Sequence, residues 1–450
     1  MKKRTEENEY ALVGGAVFDA RAGRRLENQA VWIDGSRIAS VCAPAELPEG
    51  TPRIDIEGTT VLPGMIDVHV HTEDWQAPLY LAKGITTVRD VGCELESILN
   101  RRARWNAPGS CAPRLLCTGP VLDCPGSAWP ALTQLVHNEA ESREQVNRLV
   151  DSGVDQIKSY AYLDWNCFSA ILDQAHKRGK RVVAHLGKHA DARRAIEAGV
   201  DEIEHLSGIG EALWPEKNQA GADWQFFKLW AEIDLGRVRP LIDLILEKRT
   251  WMAITRLVWL RLAGSWDTRN LANPQMAYVP GPLREFWDTF SPERQAARIH
   301  KGMTSPSRMD RSQQLAGMSI FTTELFRRNA GILIGTDAPF PYLMPGFSYH
   351  DEIHALLNCG LSETAALQAA TLAAAQALEI DDRVGTIEPG KSADLIIVNG
   401  DPTKDIQSLE RIAVVMRDGR WLEPDELLAR AADYAAHADP PPVPRFDSHY

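Results

Sequence analysis

No stretch of the chain approaches the roughly 20 consecutive apolar residues of a membrane-spanning helix, so nothing in it reads as a transmembrane segment. Positive charge is in short supply: 49 Lys and Arg against 61 Asp and Glu leave a formal net charge of -12, the wrong sign for a nucleic-acid backbone or an anionic membrane. The seven cysteines include no Cys-x-x-Cys, and their number is odd, which removes a disulfide framework and a zinc ribbon; reduced thiols in a cytoplasm are the expectation. The first residues, Met-Lys-Lys-Arg-Thr-Glu-Glu-Asn-Glu, turn from basic to acidic without an apolar core, so no signal peptide is expected. Nor is apolar content lacking: at 44% hydrophobic and 24% charged, the 450 residues can bury a large core. That length predicts about three domains, although α/β barrels often run this long as one unit.

What is present is organised in three parts. Residues 1–62 carry short β-like runs, Ala11-Leu-Val, Ala16-Val-Phe, Ala30-Val-Trp-Ile and, after an Asp34-Gly-Ser turn, Arg37-Ile-Ala-Ser-Val. Residues 381–430 read the same way, in Ala393-Asp-Leu-Ile-Ile-Val-Asn and Ile412-Ala-Val-Val-Met-Arg-Asp-Gly-Arg-Trp421. Together they predict one small β-sandwich built from both termini. Between them, residues 63–380 alternate strand and helix, most clearly from Ser169 to His205, where Gly179 and Gly199 are placed to end two helices. Tandem helix-strand units imply a parallel sheet. Eight strands between Val61 and Asp337 give an α/β class, a distorted (β/α)8 TIM barrel with the third strand, near Arg114-Leu-Leu-Cys-Thr-Gly119, free of metal ligands. A Trp-rich insertion at about 211–314, interrupted by a seventh strand near Thr250-Trp-Met-Ala-Ile-Thr255, either packs its own core or a subunit contact or lines an apolar pocket. Residues 431–450, with Asp439-Pro-Pro-Pro-Val-Pro, are expected to be an extended tail.

The chemistry begins at Val61-Leu-Pro-Gly-Met-Ile-Asp-Val-His-Val-His71. Side chains at i and i+2 of a strand share a face, so His69 and His71 converge on one point. A His-x-His pair also occurs by chance, but Lys158, His185, His205 and Asp337 each close a further apolar run in order along the chain. In a barrel of parallel strands the carboxyl ends form one rim where such residues meet. Six of them on one rim point to a two-metal site.

Leu62-Pro-Gly-Met-Ile-Asp-Val-His-Val-His71, Gly84-Ile-Thr-Thr-Val-Arg-Asp90, Ala184-His185, Ile203-Glu-His205, Gly335-Thr-Asp337 and Val384-Gly-Thr-Ile-Glu-Pro-Gly-Lys-Ser-Ala-Asp-Leu395 together resemble the amidohydrolase superfamily, in its imidazolonepropionase-like and prolidase-like branch. The segments run from about residue 10 almost to the tail. The resemblance implies the same barrel-and-sandwich arrangement. It also implies that Lys158, at the end of the fourth strand, is carboxylated by carbon dioxide and bridges two metals. A departure accompanies it: relatives of the prolidase type tend to carry Gly-Gly-His after the third strand and His-x-His on the fifth. Here Asp123-Cys-Pro-Gly-Ser-Ala-Trp129 and His185-Leu-Gly-Lys188 stand there, which speaks against dipeptide hydrolysis.

Imidazole and carboxylate suit zinc, with His69, His71 and Asp337 on one ion and His185 and His205 on the other. An ammonium beside two dications would be repelled, so Lys158 must lose its proton or be chemically changed. The expected reaction is attack of a metal-bridged hydroxide on an amide-type C-N bond of a small, partly apolar molecule, with Asp337 moving the proton to the leaving group. Tyr160 is a candidate for binding a carbonyl oxygen, and Arg256 for a two-point contact with a substrate carboxylate. His350 is a candidate for supporting the ligands, and His137, His189, His300 and His354 are expected to be solvated. Other readings of the same residues are a lactonase, esterase or phosphotriesterase-like hydrolase, a single-metal deaminase if Lys158 stands aside, and a catalytically silent scaffold. A homo-oligomer is expected by analogy with the fold.

Overall fold

Eight short runs of β-branched and aliphatic residues form the centre of the computed structural model, which describes residues 9–127, 129–187, 189–214, 229–264, 273–288 and 308–437. They are β1 (Met65–Val70), β2 (Ile85–Asp90), β3 (Arg114–Cys117), β4 (Ile157–Ser159), β5 (Val182–Ala184), β6 (Glu202–Glu204), β7 (Trp251–Ala253) and β8 (Ile332–Leu333). Pairing is parallel throughout, from β1 to β3 in one arc and from β4 to β8 in the other. Backbone hydrogen bonds join the arcs. Asp155 N-H donates to Cys117 O (2.9 Å), and the strand Val121–Asp123 continues β3 to pair Leu122 with Ser159. At the other seam Val68 N-H donates to Ile334 O (3.1 Å) and Asp337 N-H to His69 O (2.8 Å), beside a parallel bridge between Val70 and Ala338. The eight strands thus form the ring of a TIM barrel. Buried on both faces, most read as apolar runs, interrupted by buried charged residues such as Lys158 on β4 and Glu202 and Glu204 on β6.

Sequence-encoded stops hold the helices between them. Asp164 caps the helix Trp165–Lys177 by accepting from Cys167 N-H (2.8 Å), and Asp191 caps Ala192–Glu197 through Arg194 N-H (3.0 Å). At the amino ends of the strands, Ala374, Ala375, Leu378, Ile380 and Val384 pack with Ile66, Val68, Leu116, Ala253 and Leu333. Gln156 Nε2 donates to Ala377 O there (2.9 Å), so among the described residues that mouth is stoppered.

The chain ends add two sheets. One has the order Arg420–Leu422, Ile412–Arg417, Leu395–Asn399, Thr59–Pro63, Ala16–Asp19, Arg24–Leu26, mixing strands from both ends; the other is Arg37–Cys42, Ala30–Asp34, Glu9–Val13, Arg53–Asp55. A shared apolar cluster including Leu12, Val31, Ile33, Val61, Leu395, Ile397 and Val414 lies between them. Thr59–Pro63 runs through Gly64 straight into β1, so this sheet sets the entry of the first barrel strand.

Two expectations change. Instead of a tail from Ala431, the helix Pro424–His437 continues past that boundary: Pro424 opens it, Asp425 and Glu426 favour its positive end, and Leu428 and Ala431 pack on Trp75 and Leu79. Residues 438–450 lie outside the described residues, as do Trp224, Trp266 and His300 of the insertion. Trp214, Trp230 and Trp287 of the insertion serve packing. Trp230 is fully buried against Phe321 (centroids 5.9 Å apart), Trp287 is fully buried beside Tyr342 (5.7 Å), and Trp214 lies under the Arg237 guanidinium (4.1 Å). Trp251 belongs to β7 itself.

Candidate metal centre

His69 lies on β1 and His71 just past its end; Lys158 is the middle residue of β4, His185 and His205 directly follow β5 and β6, and Asp337 follows β8. The ring places all six at its carboxyl-end rim or just beneath it. His69 Nε2 and His71 Nε2 lie 3.3 and 3.2 Å from the same oxygen, Asp337 Oδ1. The His205 ring centroid is 4.5 Å from that of His69 and 4.8 Å from that of His185. His205 and Asp337 both sit in the left-handed backbone region (φ 60° and 61°), which is costly for side chains of this kind and is concentrated here at the strand ends.

One residue of this cluster escaped the sequence reading. Glu204, fully buried on β6, places Oε1 2.7 Å from His69 Nδ1 and Oε2 against Lys158 Nζ, with Arg89 Nη2 3.5 Å away. Below it, Arg89 holds Glu202 by two hydrogen bonds (2.6 and 2.8 Å), donates to Gln156 Oε1 (2.6 Å) and to Val68 O (2.7 Å). The signal was available: Glu202 and Glu204 are spaced i, i+2 on a strand buried on both faces, so two carboxylates had to find cationic or donor partners inside the barrel.

The donor set fits a cation. Burial lowers the pKa of His69, takes His205 well below the usual range and His185 to about 3, so the rings are neutral with lone pairs to offer. Burial alone would raise Asp337; the adjoining His69 and His71 outweigh it and hold the carboxyl well below the ordinary range. Burial, then the Arg89 charge, pushes Lys158 down to about 7. Two histidines have Nδ1 in a hydrogen bond, His71 at Gly92 O (3.2 Å) and His205 at Thr255 Oγ1 (2.6 Å), while His69 Nδ1 lies 2.7 Å from Glu204 Oε1 without hydrogen-bond geometry. His185 Nδ1 is buried with no hydrogen-bond partner among the described residues, an orphaned ring nitrogen whose lone pair a cation would satisfy. Nitrogen and carboxylate ligands of this kind suit zinc.

The remaining candidates separate. The Tyr160 ring stands 4.7 Å from the His185 ring, at the site. Arg256 turns away: its Nη2 donates to Ser319 Oγ (2.6 Å) and Leu315 O (3.2 Å), and its backbone N-H and that of Leu257 donate to the buried Glu352 carboxylate (2.7 and 2.6 Å). It joins β7 to the helix Arg308–Arg327 and makes no contact with the histidines. His350 also lies elsewhere, its Nε2 on Lys83 O (3.0 Å). His137 is at the surface with Glu141 (2.8 Å), and His354 is near Glu410 (3.4 Å). Trp259 contributes from the insertion, donating its indole N-H to His205 O (3.0 Å). Beside Asp337, Ala338 and Leu343 pack with Leu257, Val258, Leu260 and Phe340 into an apolar wall.

A model of the amidohydrolase family matches residues 60–227 and 321–422, and one of the NagA composite domain matches residues 9–61. An imidazolonepropionase of Deinococcus radiodurans is 24% identical over 395 residues, covering 85% of this chain and 88% of that enzyme. An adenine deaminase of Serratia proteamaculans is 26% identical over 242 residues, 47% of this chain; the match spans only 37% of that enzyme's length. Among solved structures, a bottromycin amidohydrolase superposes with a TM-score of 0.71 at 22% identity, over 96% of this chain and 91% of that one. A Xaa-Pro dipeptidase with methionine bound in its active site gives 0.68 at 22%, over 92% and 100%. At these identities the likeness is one of fold.

Proposed function

The chain belongs to the amidohydrolase family, and from that premise we propose that it is a binuclear zinc hydrolase that cleaves an amide-type C-N bond of a small, partly apolar molecule. The observation that carries the reading is the meeting of His69 Nε2 and His71 Nε2 on Asp337 Oδ1, with the neutral rings of His185 and His205 beside them. His69, His71 and Asp337 would hold one ion and His185 and His205 the other, with Lys158, carboxylated, between them. Bound zinc would lower the pKa of water toward neutrality and polarise the scissile carbonyl. Asp337 takes the proton from the attacking water as the C-O bond forms, then returns it to the leaving nitrogen as the C-N bond breaks. Tyr160 orients the carbonyl oxygen, and the apolar wall at Leu257, Val258, Phe340 and Leu343 receives the non-reacting part of the substrate. Arg256, whose Nη2 is committed to Ser319 and Leu315, is given no substrate-carboxylate role. Lactones and esters offer an equivalent electrophile to the same residues. We read the two sheets at the chain ends as a single β-sandwich that supports β1.

A second reading, a one-metal deaminase, is favoured by the Lys158-Glu204 contact, which pairs the lysine with a carboxylate inside the protein. Metal content per chain, on protein purified without chelator, separates the two. About two zinc-class ions in the wild type and one or none in Lys158→Ala support the bridged centre, with a panel of amides, lactones and aryl esters then locating the bond. One ion in both proteins selects the deaminase, and none in either sinks the hydrolase reading.

A further inference from the structure

We infer that Thr255 is a positioning residue for the centre: its hydroxyl accepts a hydrogen bond from Nδ1 of His205, a histidine that follows another strand, and so fixes which ring nitrogen faces the metal. The inference rests on the metal reading above. A neutral imidazole carries one proton, and its location decides which nitrogen keeps a lone pair. The Thr255 hydroxyl donates its own proton to Ile254 O (2.9 Å), so toward His205 Nδ1, at 2.6 Å, it accepts. The network therefore places the His205 proton on Nδ1 and the lone pair on Nε2. Glu204 Oε1 lies 2.7 Å from His69 Nδ1 without hydrogen-bond geometry, so it does not settle the His69 proton in the same way.

Thr255 is buried, so water is a poor replacement for it. Thr255 also holds its position in a left-handed backbone conformation (φ 45°) that a β-branched residue rarely adopts, and that conformation sets its hydroxyl beside the His205 ring. His205, after β6, is thereby locked by a residue after β7, a strand other than its own.

The test is zinc alone, titrated into metal-free full-length protein against a chromophoric chelator. Thr255→Val keeps the shape and removes the acceptor; it should bind zinc about 10–100-fold more weakly, the usual cost of losing such a partner, while the melting of the metal-free protein stays close to wild type. Thr255→Ser, which restores the hydroxyl, should recover most of the affinity. Should Thr255→Val fail to fold, Thr255→Ala removes the same acceptor and relieves the β-branched crowding. Wild-type affinity in whichever of these folds, or a serine variant no better than it, overturns the inference and leaves the metal reading standing. A wild-type protein that takes up no zinc overturns the metal reading itself.

Discussion

Gly335 stands where no side chain fits: a Cβ added there would lie 2.7 Å from His69 Cβ, well inside contact distance, and both atoms are fixed to backbone. Gly335→Ala should therefore displace His69, costing about 1–3 kcal/mol in urea unfolding and lowering zinc uptake together. A second residue-scale prediction concerns acid. Burial first, then the charges of Lys83 and His354, push His350 down to about 4, against the opposing effects of its bond to Lys83 O and the Glu410 charge. Between the unfolded pKa of about 6.5 and the folded value the unfolded chain binds the proton and the native one does not, so stability falls as pH falls through that window. From pH 7 to 5 the loss due to His350 is about 2 kcal/mol. His350→Gln should shrink the pH 7 to 5 difference in unfolding free energy by that amount, and an unchanged difference would remove His350 as its source. Histidines and an aspartate were legible as a set because each closes an apolar run. Glu204 was not, because it is masked by the His205 next to it; nor was the outward turn of Arg256, which depends on a helix some 60 residues further along the chain.

Among the elements, the barrel strands were the most legible part, since runs buried on both faces leave a largely apolar signature whatever their partners are. The helices Trp165–Lys177 and Ala192–Glu197 were legible for a different reason, their Asp caps and terminal glycines. What the pattern does not carry is the backbone at the strand ends. His205, Thr255 and Asp337 lie in the left-handed region, and no propensity announces that; only the closed ring, with Asp337 N-H on His69 O, imposes it. The helix Pro424–His437 was missed because proline-rich sequence just beyond it weighted the reading toward an extended tail. Leu427, 2% exposed, faces the main core from that helix. Leu427→Ala should cost about 2–5 kcal/mol if the helix is docked as described, measured by chemical denaturation; a loss near zero would mean that it is not.

At the scale of the molecule, the segment from Ala374 to Val384 closes one end of the barrel, among the described residues, and the candidate site lies at the other. The net charge of -12 is not the character of the candidate site, which gathers buried histidine rings and one low-pKa carboxylate above an internally matched pair, Arg89 with Glu202. The sheet that feeds β1 has a further consequence, for synthesis. Val61 pairs with Ile397, so on the ribosome the strand leading into the first half of the metal centre is made about 340 residues before the partner that completes its sheet. At roughly 5–20 residues per second, that interval is on the order of 20–60 s. Throughout it, the nascent chain carries an unpaired edge beside a half-built ring, a natural place for a chaperone to hold and for a prematurely ended chain to aggregate.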